Sequence, residues 1–337
     1  MSSHSASHFP AVAGYRKLVI TLVLLLMVPA ACAGQSTQAA SAAADLELKL
    51  PRSFSFIVYG DIRFTDPANV KASSPEMRDA LVKRIAEAKP QVLAITGDNV
   101  LKGDDAHDWE VFDAESAPFR QAGLTILPSL GNHDLRGGEA GLSNYFQRFP
   151  QVKGKRWYSV HGANCYWFIL DSSQDGPGGE QMQWLEQGLD HLPRGIDYVF
   201  FIVHHPPYTH SVEATGHAAR PQEQRLGEFL EQKRAGSRAQ FLVFAGHVHN
   251  YERYEHGGVT YIVTGGGGAT PYPIPRSPED HYRDDGPTYH YCQLTVNGRK
   301  LRFKMSKLKL EGSRERWAVR DKFQLSARRG QAAATAR

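Results

Sequence analysis

Short apolar runs punctuate this chain, and several of them end in the same way. Phe56-Ile57-Val58-Tyr59, Val92-Leu93-Ala94-Ile95 and Leu127-Pro128-Ser129-Leu130 lead through a glycine or turn residue to Asp61, Asp98 and Asn132. Phe200-Phe201-Ile202-Val203 runs straight into His204-His205, and Phe241-Leu242-Val243-Phe244 into Gly246-His247-Val248-His249. Runs of this length, rich in β-branched and aromatic residues, predict buried strands. Between the first two, Ser73-Ser74-Pro75-Glu76 predicts a helix start with a serine cap and proline in the first turn. Met77, Leu81, Val82 and Ile85 then recur at helical spacing until Lys89-Pro90. Strand, helix and strand in that order imply parallel pairing.

Further on, the pattern predicts helices over 109–121, around Met182 to Leu189 and over 222–232. Strands are expected over 157–160, 165–170, 198–203, 259–264, 289–296 and 301–305, the last two joined by the hairpin signal Asn297-Gly298. Parallel units first and antiparallel strands later suggest two packed sheets with helices outside. Four polar segments, 64–73, 136–155, 210–221 and 270–287, read as loops.

In open α/β sheets the site lies outside the carboxyl ends of the strands. Here those ends carry carboxylates, an amide and imidazoles, a mixed oxygen and nitrogen donor set that suits Mn, Fe or Zn. His247 and His249, two apart in extended backbone, can face one cluster. A bare His-x-His is usually two solvated side chains; its company changes that reading.

Taken in order, Gly60-Asp61, Gly97-Asp98, Gly131-Asn132-His133-Asp134, His204-His205-Pro206 and Gly246-His247-Val248-His249 resemble the signature of the calcineurin-like metallophosphoesterase superfamily. The continuation Asn250-Tyr251-Glu252-Arg253 is most similar to its purple acid phosphatase branch. The resemblance implies a four-layer α/β/β/α sandwich of two mixed β-sheets flanked by helices. It also implies two divalent or trivalent metal ions (Fe, Mn or Zn) clamped about 3.5–4 Å apart. By it, site one would take Asp61, Asp98 and His249, and site two Asp98, Asn132, His204 and His247, with Asp98 bridging. His204 is preferred to His205 because the superfamily histidine stands two before the proline. His205 then lies behind the ligands or faces phosphate. His133, followed by the carboxylate of Asp134, would stabilise the transition state or act as general acid. Tyr251, Glu252 and Arg253 are expected to pack behind the ligands.

Two positions depart from the pattern. Arg63 stands where many members carry a metal-binding histidine, and Leu101 where purple acid phosphatases carry a tyrosine. Site one therefore lacks a completing ligand, should bind its ion more weakly than site two, and should show no purple colour. Arg63 cannot ligate a metal; contact with substrate phosphate and a structural salt bridge both stay open. Gly265-Gly266-Gly267-Gly268 has no Gly-Lys-Ser/Thr behind it, which argues against a phosphate loop. Close passage of the backbone past the cluster is the better reading. Of the remaining histidines, His210 and His217 are the ones placed near the site by sequence.

Composition adds limits. The formal net charge of +4 and the lack of basic–aromatic interleaving give no support for nucleic-acid binding. Arg16-Lys17 before a short apolar run and a small-residue zone make 1–33 a secretory or lipoprotein signal. Cys32 is either a lipidated first residue or incidental. An Ala/Ser/Gln-rich tether follows over 34–50, then one domain over 51–312. The segment 313–337 carries Arg314, Arg316, Arg320, Lys322, Arg328, Arg329 and Arg337, and reads as a basic, partly disordered tail. Cys165 and Cys292 read as small buried hydrophobes, with a disulfide between them left open.

The resulting expectation is an exported phosphomonoesterase, acid-phosphatase-like, in which metal-bound hydroxide attacks phosphorus of a small phosphate ester. It would be periplasmic, secreted, or membrane-anchored through a lipid on Cys32, in an oligomeric state the sequence does not reveal. The alternatives are a phosphodiesterase on nucleotides or lipid head groups, and a catalytically degenerate phosphate-binding lipoprotein.

Overall fold

The computed structural model describes residues 45–174, 179–212, 216–284, 286 and 288–327. Strand β2 (Ser53–Tyr59), helix α1 (Pro75–Ala88) and strand β3 (Val92–Ile95) form the expected parallel unit, and β4 (Thr125–Pro128) extends it. The Ser74 hydroxyl caps α1 by accepting from the Met77 amide, and Lys89 ends the helix in left-handed conformation. The helix expected over 109–121 is divided into α2 (Ala106–Glu115) and α3 (Ala117–Gln121). Pro118 has no N–H to offer the Ala114 carbonyl, so one continuous helix cannot form there.

Helix α4 (Glu139–Arg148) occupies part of a segment that reads as loop in the sequence. It buries Gly141, where a Cβ would come within 2.5 Å of the Arg136 carbonyl oxygen and 2.6 Å of that of Asp134. Close approach to the Asn132 loop places this helix together with an apolar stripe, Leu142, Tyr145, Phe146 and Phe149, that packs into the main core.

Strands β1 (Asp45–Glu47), β5 (Tyr158–Gly162), β6 (Cys165–Ile169), β7 (Tyr198–Val203), β8 (Gln240–Ala245), β9 (Tyr251–His256) and β10 (Val259–Thr264) make one mixed sheet, ordered β1-β5-β6-β7-β8-β10-β9. The other contains β11 (Tyr289–Asn297), β12 (Lys300–Glu311) and β13 (Arg314–Ser326), ordered β13-β12-β11-β2-β3-β4. Phe56 of β2 meets Trp167 of β6 and Phe200 of β7 edge-on at 5.6 and 4.7 Å, so the two sheets share an aromatic core. Helices α5 (Glu180–Asp190) and α6 (Pro221–Gly236) cover the outer face of the larger sheet through Leu185, Leu189, Leu226 and Leu230. Helix α1 packs Leu81 and Ile85 into the main core, and Phe119 of α3 meets Tyr59. The architecture is two mixed sheets flanked by helices, as the sequence suggests.

Two boundaries move. Residues 314–326 are not a tail: β13 pairs with β12 along its length, and Phe323 stacks on Phe303 at 4.5 Å. Asp321, Phe323 and Leu325 alternate inward along β13, while Trp317, on the far side of a bulge, meets Tyr291 and Arg84 of α1; the many arginines obscure this period in sequence. At the other end, Asp45–Glu47 leave the expected tether to pair with β5. The signal reading of 1–33, Cys32 and residues 328–337 lie outside the described residues. Among the described residues no helix is long and apolar enough to cross a membrane. Cys165 and Cys292 are free, buried thiols.

A polar stitch also joins the sheets. The Thr264 hydroxyl of β10 meets His290 Nε2 of β11 at 3.1 Å, while His290 Nδ1 donates to the Thr288 carbonyl at 3.1 Å. Burial holds this imidazole down at about 4 against its ordinary 6.5, so the fold prefers it neutral. The unfolded chain takes up the proton first, so this contribution to stability is present above pH 6.5 and lost as pH falls toward about 4. His290→Gln should flatten that part of the stability–pH curve, read by urea unfolding at stepped pH. Phe56→Ala should cost about 3–5 kcal/mol in the same assay at neutral pH.

Candidate metal centre

The strand ends deliver their side chains through backbone that the amino-acid pattern does not advertise. Asp61, Asp98 and His247 all adopt positive φ, at 55°, 52° and 69°. Left-handed backbone is uncommon outside glycine and concentrates at functional sites. The flanking glycines are needed for space: a Cβ on Gly131 would lie 2.3 Å from Asp98 Oδ1, and one on Gly246 2.5 Å from Asp61 Oδ2. A Cβ on Gly265 would lie 2.9 Å from the same Asp61 oxygen, which supports the close-passage reading of the four-glycine run.

On one side of the pocket, four donor atoms converge. His204 Nε2 lies 2.9 Å from Asn132 Oδ1, 3.3 Å from His247 Nδ1 and 3.4 Å from Asp98 Oδ1. His204 Nδ1 donates to the Thr96 carbonyl at 2.9 Å, which leaves the Nε2 lone pair facing the cluster. On the other side, His249 Nδ1 donates to the Thr270 carbonyl at 3.0 Å and presents Nε2 to Asp61 Oδ1 at 3.6 Å. Both of those facing atoms are buried without a hydrogen-bond partner. Two buried acceptors aimed at each other leave room for a cation and little else. Donor atoms of Asp61, Asp98 and His204 lie within 4.8 Å of one another, which joins the two sides. All six residues named as ligands from the sequence thus reach one pocket.

The electrostatics suit metal binding. Burial pushes the Asp61 carboxyl well up, and the neighbouring Asp98 charge adds to it. For Asp98 burial also opposes ionisation, but His204, Arg63 and His133 outweigh it and hold the carboxyl below its usual range. Burial lowers the pKa of His204, His247 and His249, keeping them in the neutral form that ligates metals.

The other predicted site residues divide. His133 lies in the pocket, its Nε2 3.9 Å from Asp98 Oδ2, but Asp134 does not pair with it. The His133 ring is oriented by the Leu101 carbonyl, 2.7 Å from Nδ1. The Asp134 carboxylate turns inward and accepts from the amides of Gly131, Asn99 and Val100 and from Asn99 Nδ2. That corrects the acid–histidine pairing read from adjacency: consecutive residues in this turn point apart, and Asp134 serves the backbone. Arg63 donates from Nε and Nη2 to Asp98 Oδ2 at 3.2 and 3.1 Å, which is an ion pair with the central carboxylate. His205 stands beside His247, ring centroids 4.2 Å apart, and its Nδ1 meets the Ser172 hydroxyl at 2.7 Å.

Among the histidines placed nearby by sequence, His217 packs on His247 and His249 at 4.7 and 5.4 Å. His210 instead meets the Tyr254 hydroxyl. Sequence reasoning missed Arg136, whose Nη2 meets His133 Nε2 at 3.1 Å. Its spacing of three from His133 was the available signal, hidden in a segment read as loop. Of the residues expected behind the cluster, Glu252 accepts from Thr209 and the His210 amide, and Arg253 pairs with Asp321 at 2.7 Å.

A model of the calcineurin-like phosphoesterase family matches residues 54–251. Probable purple acid phosphatase 20 of Arabidopsis thaliana is 31% identical over 194 residues, 49% of this chain and 43% of that protein. The chain spans less than half the length of the curated relatives it matches. A purple acid phosphatase from yellow lupin (Lupinus luteus) seeds superimposes with a TM-score of 0.66 at 18% identity, covering 82% of this chain and 55% of that one. GAP50, the anchor in the inner membrane complex of Plasmodium, superimposes with a TM-score of 0.60 at 13% identity, covering 83% and 90%.

Asp134→Ala should strip partners from several buried amides at once. The expected result is a loss of about 2–4 kcal/mol in denaturant unfolding, together with weaker Mn binding by calorimetry as the Asn132 loop relaxes.

Proposed function

This chain belongs to the calcineurin-like phosphoesterase family, and on that premise we propose that it is a metal-dependent phosphomonoesterase. The observation that carries the reading is the pair of buried, unpartnered acceptors, Asp61 Oδ1 and His249 Nε2, beside the Asp98–Asn132–His204–His247 cluster. These residues fit cations by donor type, burial and protonation. Asp98, Asn132, His204 and His247 would hold one ion, and Asp61 and His249 with Asp98 a second. Mn, Fe and Zn all suit the donor set. Ions bound there supply Lewis acidity toward phosphoryl oxygens and acidify water at neutral pH.

The protein's own groups handle the ester. His133 and Arg136 stand together at the pocket, and the guanidinium offers donors to phosphate oxygens. His133 Nδ1 is committed to the Leu101 carbonyl, so Nε2 is the atom facing substrate. In that tautomer it accepts a hydrogen bond, and burial holds its pKa down at about 4, so it orients rather than donates near neutrality. Burial around Asp61, Asp98, His204 and His249 limits water to the part of the pocket that the substrate enters. Similarity to proteins described as purple acid phosphatases supports the monoester preference. The leader pattern over 1–33 supports export, with Cys32 as the one place for a lipid anchor.

The test is metal content and turnover after reconstitution with Mn, Fe or Zn, using p-nitrophenyl phosphate against its bis-ester. Hydrolysis of the monoester is expected, falling by about a hundredfold or more in Asp98→Asn. Preference for the bis-ester would replace the monoesterase with a diesterase. Folded, metal-loaded protein that binds phosphate and turns over neither ester would replace it with a binding role.

A further inference from the structure

Asp98 divides its two oxygens. Oδ1 accepts the His133 amide at 2.9 Å and faces His204, on the side where Asn132 and His247 converge. Oδ2 takes both donors of Arg63. The guanidinium is a permanent cation that cannot ligate a metal, and it sits on the oxygen that the His204 side of the cluster leaves free.

Its position is built into the fold. The Arg63 backbone is left-handed at φ 52°, its amide donates to the Asp98 carbonyl at 3.0 Å, and its own carbonyl accepts from Arg78 at 3.4 Å. Arg78 is wholly buried and forms a two-point ion pair with Glu115 at 2.9 Å, so the loop carrying Arg63 is anchored from behind. Arg63 itself is only 12% exposed. The loop is thus held in place, and the guanidinium it carries is tied to Asp98.

We infer that Arg63 is a tethered cation that competes with the second metal ion for Asp98 Oδ2. The chain then binds one ion firmly at Asp98, Asn132, His204 and His247. The Asp61–His249 pair takes another only by displacing the guanidinium. This inference rests on the metal-dependent reading above and adds a cause that ligand counting does not contain: the second site is opposed as well as incomplete. Removing Arg63 should therefore strengthen the second site, although no ligand is added.

The experiment uses Mn2+ alone as probe, titrated into the wild type and Arg63→Leu, which brings no donor atom, with equilibrium dialysis for affinity and electron paramagnetic resonance for pairing. Wild type should show two separated binding steps, with the spectrum of an isolated ion between them. In Arg63→Leu the second step should tighten by about tenfold or more, equivalent to about 1.4 kcal/mol, and the coupled-pair spectrum should appear at lower Mn2+. An unchanged or weakened second step in the variant overturns the inference. So does a wild type that fills both sites in one step, a result that needs no variant to fold. Weaker phosphate binding with unaltered Mn2+ steps would make Arg63 a substrate contact instead. A wild type that binds no Mn2+ and hydrolyses no ester sinks the phosphoesterase reading itself. One that does both, with a second step indifferent to Arg63, sinks this inference alone.

Discussion

Asp61 and Asp98 place two carboxylates in one buried pocket, where like charges repel through a low effective dielectric. Positive charge has to be supplied nearby, and the surrounding structure is arranged to supply it. Arg63 covers one oxygen of Asp98, while neutral imidazoles and the Asn132 amide offer lone pairs for metal ions. The same pressure accounts for Asp134. Burial, then the Asp98 charge, pushes its carboxyl up to about 7, and backbone amides from the neighbouring turns converge on it in compensation.

Holding these groups together needs a stiff frame. The facing sheets supply it through the Phe56, Trp167 and Phe200 contacts, and the site sits where strands of both sheets end. Polar ties then lock the loops. Glu252 of β9 accepts from Thr209 and His210, which fixes the segment that follows His204. Asp321 of β13 holds Arg253 and the Tyr251 hydroxyl, so the last strand braces the region behind His249. A strand that looks like a charged tail therefore supports the histidine motif from the opposite sheet.

Much of this was legible in residue order. Apolar runs ending in Asp61, Asp98, Asn132, His204 and His247 announced strand-end donor groups, because strand length and donor chemistry are local properties. Ser74 and Pro75 announced α1 for the same reason. What escaped was decided by contact. Helix α4 has a short apolar stripe, Leu142, Tyr145, Phe146 and Phe149, but its seat is set by the approach of Gly141 to the Arg136 and Asp134 carbonyls, a fit that residue order does not record. Strand β13 hides its inward alternation among arginines. Arg136 reaches the pocket from a segment whose composition resembles ordinary loop.

By itself, the sequence determined the donor set, the strands that carry it, and the departures at Arg63 and Leu101, since side-chain chemistry and short-range periodicity are written in order. Only the tertiary structure decided where each donor points. His133 and Asp134 are neighbours whose side chains part because the turn directs one to the pocket and the other to backbone amides. Arg63 met Asp98, 35 residues away, because parallel strands brought their ends together and left-handed backbone turned the guanidinium inward. Direction depends on dihedral angles imposed by packing, and those are set by the whole fold rather than by any stretch of it.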